Sequence, residues 1–388
     1  MPEQTEIIFH EVGDRRLARA GVTLSRRMEN GKGLWRLELP RAEGEHFQLE
    51  HAGGPASPPA PIRRLLLAFM RGERPRPVAR LHLQRENGAE HVEGLEAVYA
   101  LDGDAPADGT IGLLRAMLGR QYAEILRHDP GVRLDLDPED VHRLRVAVRR
   151  ARAVLRAARP VLDPEWSEPL RAELKWLGGS LGPRRDLDVL VAHLREQIAE
   201  LDEPERTSAS ALVELLEEER EGAQVLAVEA LSSERYYRLL DALEAAARGP
   251  RVQRAEVSLQ SLASREFKRL QKVAERLGPE STDHELHRAR ILGKRARYAA
   301  ELAEPEVGRP ARRFLARARR FQDVLGAHQD AIVAEARLRG LFAAQAGSGA
   351  AFAAGRLVER ERARRRKARA ELPKAWRALD RAARKAWA

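Results

Sequence analysis

The sequence predicts a mainly α-helical protein: a duplicated pair of antiparallel four-helix bundles preceded by a small α+β region. Three observations lead there. From Thr110 onward the apolar residues recur at helical spacing and no stretch alternates as a strand should. A basic helical signature occurs twice, each time followed by a second signature at nearly the same offset. Residues 1–108, in contrast, combine strand-like alternation with a loop rich in proline, glycine and small residues.

The first basic stretch is Val141 to Pro160, with one histidine, seven arginines and no acid. His142, Arg145, Arg149 and Arg152 stand at i, i+3, i+7 and i+10. On an α-helix they fall within about 80° of arc. Val141, Leu144, Val148, Ala151 and Leu155 keep the same spacing one residue earlier, an apolar seam beside the cations. The second stretch places His287, Arg290, Lys294 and Arg297 at the same intervals. Asp137-Pro138 gives the first helix a capping residue before a proline, and Thr282 to Glu285 reads as a capping box for the second. Leu181-Gly182 with Asp186, and Leu325-Gly326 with Asp330, follow the two helices. The helical part, 109–388, therefore reads as halves of about 109–250 and 251–388.

The elements follow in order. Thr23 to Leu39 reads as a hairpin around Gly31-Lys32-Gly33, Pro61 to Arg71 as a short helix, and Val78 to Gln84 and His91 to Leu101 as strands, with a turn at Asp102-Gly103-Asp104. Ile111 to Arg127 is the first long helix, ended by Asp129-Pro130-Gly131. Helices are then expected at 138–159, 165–181, 186–201, from 208 past 222, 234–247, 253–277, 283–303, 310–325, 330–344 and 351–388. Trp166, Leu174, Trp176 and Phe321 are expected in the core. Arg265, Lys268, Arg269 and Lys272 lie along one side of their helix.

The formal charge of +10 points to a polyanionic partner or to solvated basic faces. There is no cysteine, hence no disulfide framework or thiolate metal site. No apolar run reaches the ~20 residues that cross a bilayer. The first residues lack a signal-peptide core, so a soluble cytoplasmic protein is expected. Neither histidine of the two stripes has a histidine or carboxylate at i+3 or i+4, which argues against a metal site.

The paired H-x2-R-x3-[RK]-x2-R helices, each followed by LG-x3-D, resemble the CHAD domain, the conserved histidine α-helical domain, over about 110–388. The resemblance implies two four-helix bundles around a basic groove, binding of inorganic polyphosphate, and location on polyphosphate granules. It carries phosphate binding onto His142, Arg145, Arg149, Arg152, His287, Arg290, Lys294 and Arg297. Arg185 and Asp186 match the motif's RD pair, whereas Gln329 precedes Asp330 in the second copy. Asp186 and Asp330 are expected to cap helices or orient arginines, with Arg185, Lys175, Arg265, Lys268 and Arg269 in support. Gly13 to Arg27 and Gly33 to Pro40 resemble part of a CYTH domain. The E-x-E-x-K strand and the alternating-glutamate strand are missing, and Glu38 stands where a lysine is usual. A shortened, inactive remnant is expected, in which Arg26, Arg27, Arg36, Arg80 and Arg85 are still able to meet phosphate.

The expectation is therefore a non-enzymatic polyphosphate binder without cofactor, catalytic residue or metal. A metal-dependent inorganic triphosphatase and a nucleic-acid-binding protein stand as alternatives. The basic helices carry one aromatic, Tyr298, and single-stranded nucleic acid usually stacks its bases on several. Arg360 to Arg369 reads equally as a solvated face or an accessory cationic wall. Oligomeric state is open.

Overall fold

The structure is a computed structural model that describes residues 3–29, 32–41, 45–86, 89–97, 109–253, 258–344 and 348–387. The chain is mainly helical, with one small antiparallel sheet near its start. It divides into two compact units. One comprises residues 1–107, 118–148 and 226–248, and the other residues 108–117, 149–225 and 249–388.

The first unit holds a six-stranded sheet in the order β4-β3-β2-β1-β5-β6, antiparallel throughout. The strands are β1 (Glu3–Glu11), β2 (Thr23–Glu29), β3 (Lys32–Pro40), β4 (His46–Ala52), β5 (Arg76–Glu86) and β6 (Ala89–Ala97). The expected hairpin is β2–β3, in which Leu24 faces Leu37 and Arg26 faces Trp35. The turn expected at Asp102 to Asp104 lies outside the described residues. Strands β1 and β4 escape the alternation rule. Ile7, Ile8 and Phe9 run consecutively in β1, which lies between β2 and β5, and all three are half-buried. Strand β4 is an edge, half-buried at alternate positions over only part of its length. Leu24, Trp35, Leu37 and Leu39 are buried on one face, together with Leu17 of α1 (Arg16–Arg19), Ile62 and Leu65 of α2 (Ala60–Leu65) and Phe69 of α3 (Leu67–Met70). One short helix was expected at 61–71; Leu66 divides it into two. The Glu11 carboxylate accepts from the Leu17 and Ala18 amides and so caps α1.

The later part of α4 (Gly109–Leu134), the first part of α5 (Pro138–Ala157) and the whole of α9 (Glu234–Arg248) belong to this unit. Arg71 bonds Asp241 at 2.7 Å and Glu244 at 2.8 Å, Arg16 meets Glu244 at 3.2 Å, and Arg248 meets Asp14 at 2.9 Å. The expected break at Asp129-Pro130-Gly131 does not occur: α4 runs through it to Leu134 and ends before Asp135, at φ 50. Pro130 forfeits one donor, but buried Asp129 accepts from Arg133 Nε at 2.6 Å and from the Tyr236 hydroxyl at 3.0 Å. These bonds hold the last turns in place. Gly131 is there because a Cβ would overlap the Asp140 carboxylate of α5, not because the helix stops.

The second unit contains the rest of α5 with α6 (Pro164–Ser180), α7 (Gly182–Ala199), most of α8 (Glu203–Leu231), α10 (Leu259–Ala274), α11 (Asp283–Val307), α12 (Arg309–Ala344) and α13 (Ser348–Ala386). One core joins α10 and α11 to the start of α12 and the end of α13, around Phe267, Phe314, Phe321 and Leu379. Another joins α7 and α8 to the end of α12 and the start of α13, around Leu194, Leu212, Leu338 and Leu357. The two long helices thus serve both cores. Two helices were expected at 310–325 and 330–344, but α12 passes straight through Leu325-Gly326. In the first copy of that motif Pro183 lies at the start of α7, and Leu181 interrupts the helix. The second copy has no proline to do this. Leu174 and Phe321 are fully buried, as expected, whereas Trp166 and Trp176 are half-buried. Among the described residues, no helix is long and apolar enough to cross a membrane.

Candidate functional site

Local rules place the two basic helices. Asp137 accepts the Glu139 amide at 2.8 Å and starts α5. The reciprocal Thr282–Glu285 capping box starts α11. The apolar seam of α5 is buried at Val141, Leu144, Val148, Ala151 and Leu155. Leu286, Ala289, Leu292 and Ala296 do the same for α11. The cations beside these seams have no room to enter the core, so they stay on a common flank.

In the second unit the two stripes meet. Arg149 Nε of α5 donates to the Tyr298 hydroxyl of α11 at 2.8 Å, and Arg297 lies over the ring of that tyrosine, 4.9 Å from its centre. Lys294, one turn before Tyr298 on α11, is half-buried. Its pKa falls to about 8, first through loss of water and then through Arg290, Arg149 and Arg297, while Asp330 opposes the shift. Burial likewise raises the Asp330 carboxyl; Arg290, Arg364 and Lys294 pull it back, and Asp186 pushes it further up. The two motif aspartates are thus electrostatic neighbours.

A second group of cations continues along α5. Dehydration and then Arg171 hold Arg152 below the usual guanidinium range. Arg156 is lowered by dehydration, then by Arg295, Arg171 and Arg152, with Glu266 opposing. Arg295 is lowered by dehydration and by Arg269, Arg152 and Arg171, again against Glu266. Such crowding of like charge disfavours the free protein and favours an anion that neutralises it.

The expected residues therefore divide. Arg149, Arg152, Arg290, Lys294, Arg297, Asp186, Asp330 and Arg269 share the electrostatics of this cluster. His287 contacts Gln329 through Nδ1 at 2.9 Å, which ties the second stripe to the residue before Asp330. His142 and Arg145 are half-buried on the part of α5 that belongs to the first unit. Lys175, Arg265 and Lys268 are exposed, and among the described residues no hydrogen bond or ion pair joins them to the cluster. The capping role for Asp186 and Asp330 is corrected. Asp186 lies in the second turn of α7 and Asp330 in mid-α12, where the backbone donors are already used within the helix. Half-buried Arg185 precedes Asp186, but the buried ion pair nearby is Arg184 with Asp188, which also accepts from Arg220 at 3.0 Å.

Arg156, Arg171 and Arg295 were not expected, whereas Arg364 falls in the run Arg360 to Arg369, expected as a solvated face or an accessory cationic wall. Arg156 stands at i+14 from His142, so the stripe's own periodicity marks it. Arg171 comes from α6, and no spacing rule links it to α5. The run Arg360 to Arg369 is mostly engaged by acids: Arg360 with Glu200, Arg362 with Glu335, and Arg365 and Arg369 with Asp283. Arg364 bonds buried Glu361 at 2.6 Å and His193 at 2.7 Å. In the sheet, Arg26 donates to the Gly53 carbonyl at 3.4 Å, Arg36 meets Glu38 at 3.2 Å and Arg80 meets Glu6 at 3.1 Å. Arg27 is half-buried in β2, and the side chain of Arg85 is outside the described residues. Among the described residues, no group of three or more histidines and carboxylates is placed to hold a metal ion.

Comparison with known proteins adds a family. The CHAD domain family matches residues 116–339. Two uncharacterised proteins of Mycobacterium tuberculosis, from strains CDC 1551 and H37Rv, are each 26% identical over 481 residues, spanning 99% of this chain and 91% of the relative. That span exceeds the 388 residues of the chain, so each relative holds stretches that the chain lacks. Among solved structures, PptA from Streptomyces chartreusis is similar at a TM-score of 0.57 and 25% identity, over 68% of this chain and 98% of that one. The CHAD domain from the plant Ricinus communis is similar at a TM-score of 0.57 and 28% identity, over 73% of this chain and 95% of that one.

Proposed function

Since the chain belongs to the CHAD domain family, we propose that it binds inorganic polyphosphate through the cations that α5 and α11 bring together, and that it works as a receptor, not an enzyme. One observation carries the reading: Lys294 is dehydrated among Arg149, Arg290 and Arg297, with its pKa held down to about 8. A site that crowds cations from two helices, only partly offset by Glu301 beside Arg297 and Asp330 beside Lys294, is suited to a ligand with one charge per repeating unit. Guanidinium groups grip successive phosphates in bidentate fashion and release counterions as they do so. His142 and Arg145 extend the same face of α5 by about two turns toward its start.

A nucleic-acid reading has less support. Tyr298, the aromatic of the two basic helices, is 5% exposed and held by Arg149, so it offers no face to a base. The helical part reads as two related four-helix bundles, which the repeated motifs support; the core of α10 to α13 fits the second bundle, whereas the other core mixes α7 and α8 with α12 and α13. The N-terminal sheet reads as a shortened CYTH-like module without triphosphatase activity. Glu38 at the position of the usual lysine supports this, together with the internal partners of Arg26, Arg36 and Arg80. A soluble protein on polyphosphate granules follows from the same reading.

The test is binding of labelled polyphosphate to the full chain and to Arg149→Ala with Lys294→Ala. Loss of at least tenfold in affinity, with helical content unchanged, is expected. Unchanged affinity overturns the reading. Phosphate release from tripolyphosphate with Mg²⁺ or Mn²⁺ present would restore the triphosphatase alternative.

A further inference from the structure

A second cationic surface lies in the second unit, away from the repeated motifs. The start of α12 and the end of α13 line a groove of about 890 Å³. Arg313 and Arg317 supply one wall; Lys374, Arg381 and Lys385 supply the other. Ala316, Ala378 and Ala382 lie among them and keep the groove shallow and open along the helices. The α13 cations recur at i, i+7 and i+11, a single face about 16 Å long. No acid lines the groove.

Elsewhere on these two helices many arginines are paired with acids, though Arg309, Arg319 and Arg377 have no acid partner among the described residues. Arg312 meets Glu304, Arg320 meets Glu371, Arg362 meets Glu335 and Arg366 meets Glu359. Within the groove only Arg384 has such a partner among the described residues, Asp380 at 3.0 Å. Arg313, Arg317, Lys374, Arg381 and Lys385 are all exposed and have no acid within ion-pair distance among the described residues. The groove gathers six cations from two helices with no acid in its lining, so positive charge is concentrated there. Surface ion pairs are worth little to stability, so their absence from the groove costs the fold little, while the concentrated potential attracts a polyanion.

We infer that this groove is a second polyphosphate site, separate from the α5–α11 cluster and able to hold another chain or a distant stretch of the same one. The inference rests on the proposed function for its ligand class and on the groove for its place. The lining is arginine, lysine, alanine and proline, with no aromatic on which a base could stack, which favours a polyanion without bases. Arg317 and Asp330 are 13 residues apart on α12, about 20 Å along its axis and on different faces. A short polyphosphate cannot span both places. Long chains then meet two grips per protein, so that one protein links two chains and each chain links several proteins.

The experiment uses the full chain and a polyphosphate of one defined length too short to span that distance. Isothermal titration is expected to give two molecules bound per protein chain. The variant Arg313→Ala, Arg317→Ala, Arg381→Ala, Lys385→Ala is expected to bind one, with the remaining affinity unchanged, and to lose the turbidity that wild-type protein develops with long chains. Arg149→Ala with Lys294→Ala is expected to retain only the groove site. One molecule bound to the wild type, with no change in the four-residue variant, overturns the groove and leaves the cluster intact. Full loss in the Arg149/Lys294 variant also overturns the groove. Unaltered binding in that variant overturns the cluster instead. If duplex DNA or RNA of equal charge displaces the ligand from the groove as readily as polyphosphate does, the assignment to polyphosphate is overturned. The wild-type stoichiometry decides the matter even if a variant fails to fold, which circular dichroism reports.

Discussion

Arg149 Nε donates to the hydroxyl of Tyr298 at 2.8 Å, so a side chain of the first basic stripe is aimed by a residue one place beyond the second. The tyrosine is buried, whereas the arginine is only half-buried. The bond therefore fixes the direction of a cation without removing it from the surface. Tyr298→Phe keeps the ring under Arg297 and deletes only the acceptor. It is expected to weaken polyphosphate binding by about 0.5–1.5 kcal/mol, a few-fold to about tenfold, with a smaller effect on melting temperature. Equal affinity in the two proteins would mean that Arg149 needs no such aim.

Lys294 gives the site a pH signature. Its folded-state pKa is about 8, against 10.5 for an ordinary lysine. Below about pH 8 the lysine is charged in both folded and unfolded chains, and its repulsion with neighbouring arginines is fully present. Between about 8 and 10.5 the unfolded chain binds more protons, so this residue's contribution to stability rises with pH. Lys294→Met should stabilise the ligand-free protein at pH 7, by at most ~3.5 kcal/mol since a pKa unit is about 1.4 kcal/mol, and should flatten the rise. An anion reverses the shift, so binding near pH 9 should take up protons. Titrations in buffers of different ionisation enthalpy measure that uptake, and Lys294→Met should abolish it.

Arg145→Ala with Arg290→Ala removes one cation from each stripe. The logarithm of affinity against the logarithm of salt concentration should become less steep, by roughly one for each phosphate no longer neutralised. Melting temperature should hardly move, because neither residue belongs to the buried seams. An unaltered slope would mean that other side chains hold the phosphates.

Stability rests on different charges. Asp129 is fully buried between Arg133 and Tyr236, and Asp188 between Arg184 and Arg220. Asp129→Ala or Asp188→Ala leaves a buried arginine unpaired and should cost about 3–5 kcal/mol in denaturant unfolding. Exposed Asp186, two residues from Asp188, should cost far less when changed to alanine, and its loss should let the Asp330 carboxyl fall, since Asp186 holds it up.

What the sequence reveals here is what repeats at helical spacing. The two stripes, their caps and their buried seams are periodic, and Arg156 continues the same period. Contacts between distant segments are not periodic. Nothing near Arg171 in sequence shows that α6 brings it to Arg152, and nothing in the LG-x3-D pattern shows that Asp188, not Asp186, takes the buried arginine. Breakers mislead for a related reason. Pro130 and Gly131 look like a helix end until Asp129 meets Arg133 and Tyr236, and until Asp140 fills the space of a Cβ. Gly326 breaks nothing because no proline follows it.

The most direct test of the central claim is binding of labelled long-chain polyphosphate at several salt concentrations, with duplex DNA and RNA as competitors. Tight binding that weakens steeply with salt, is displaced poorly by nucleic acid, and falls at least tenfold in Arg149→Ala with Lys294→Ala is the expected result. Binding displaced equally well by nucleic acid, or unchanged in that variant, would contradict a phosphate-chain receptor built on α5 and α11.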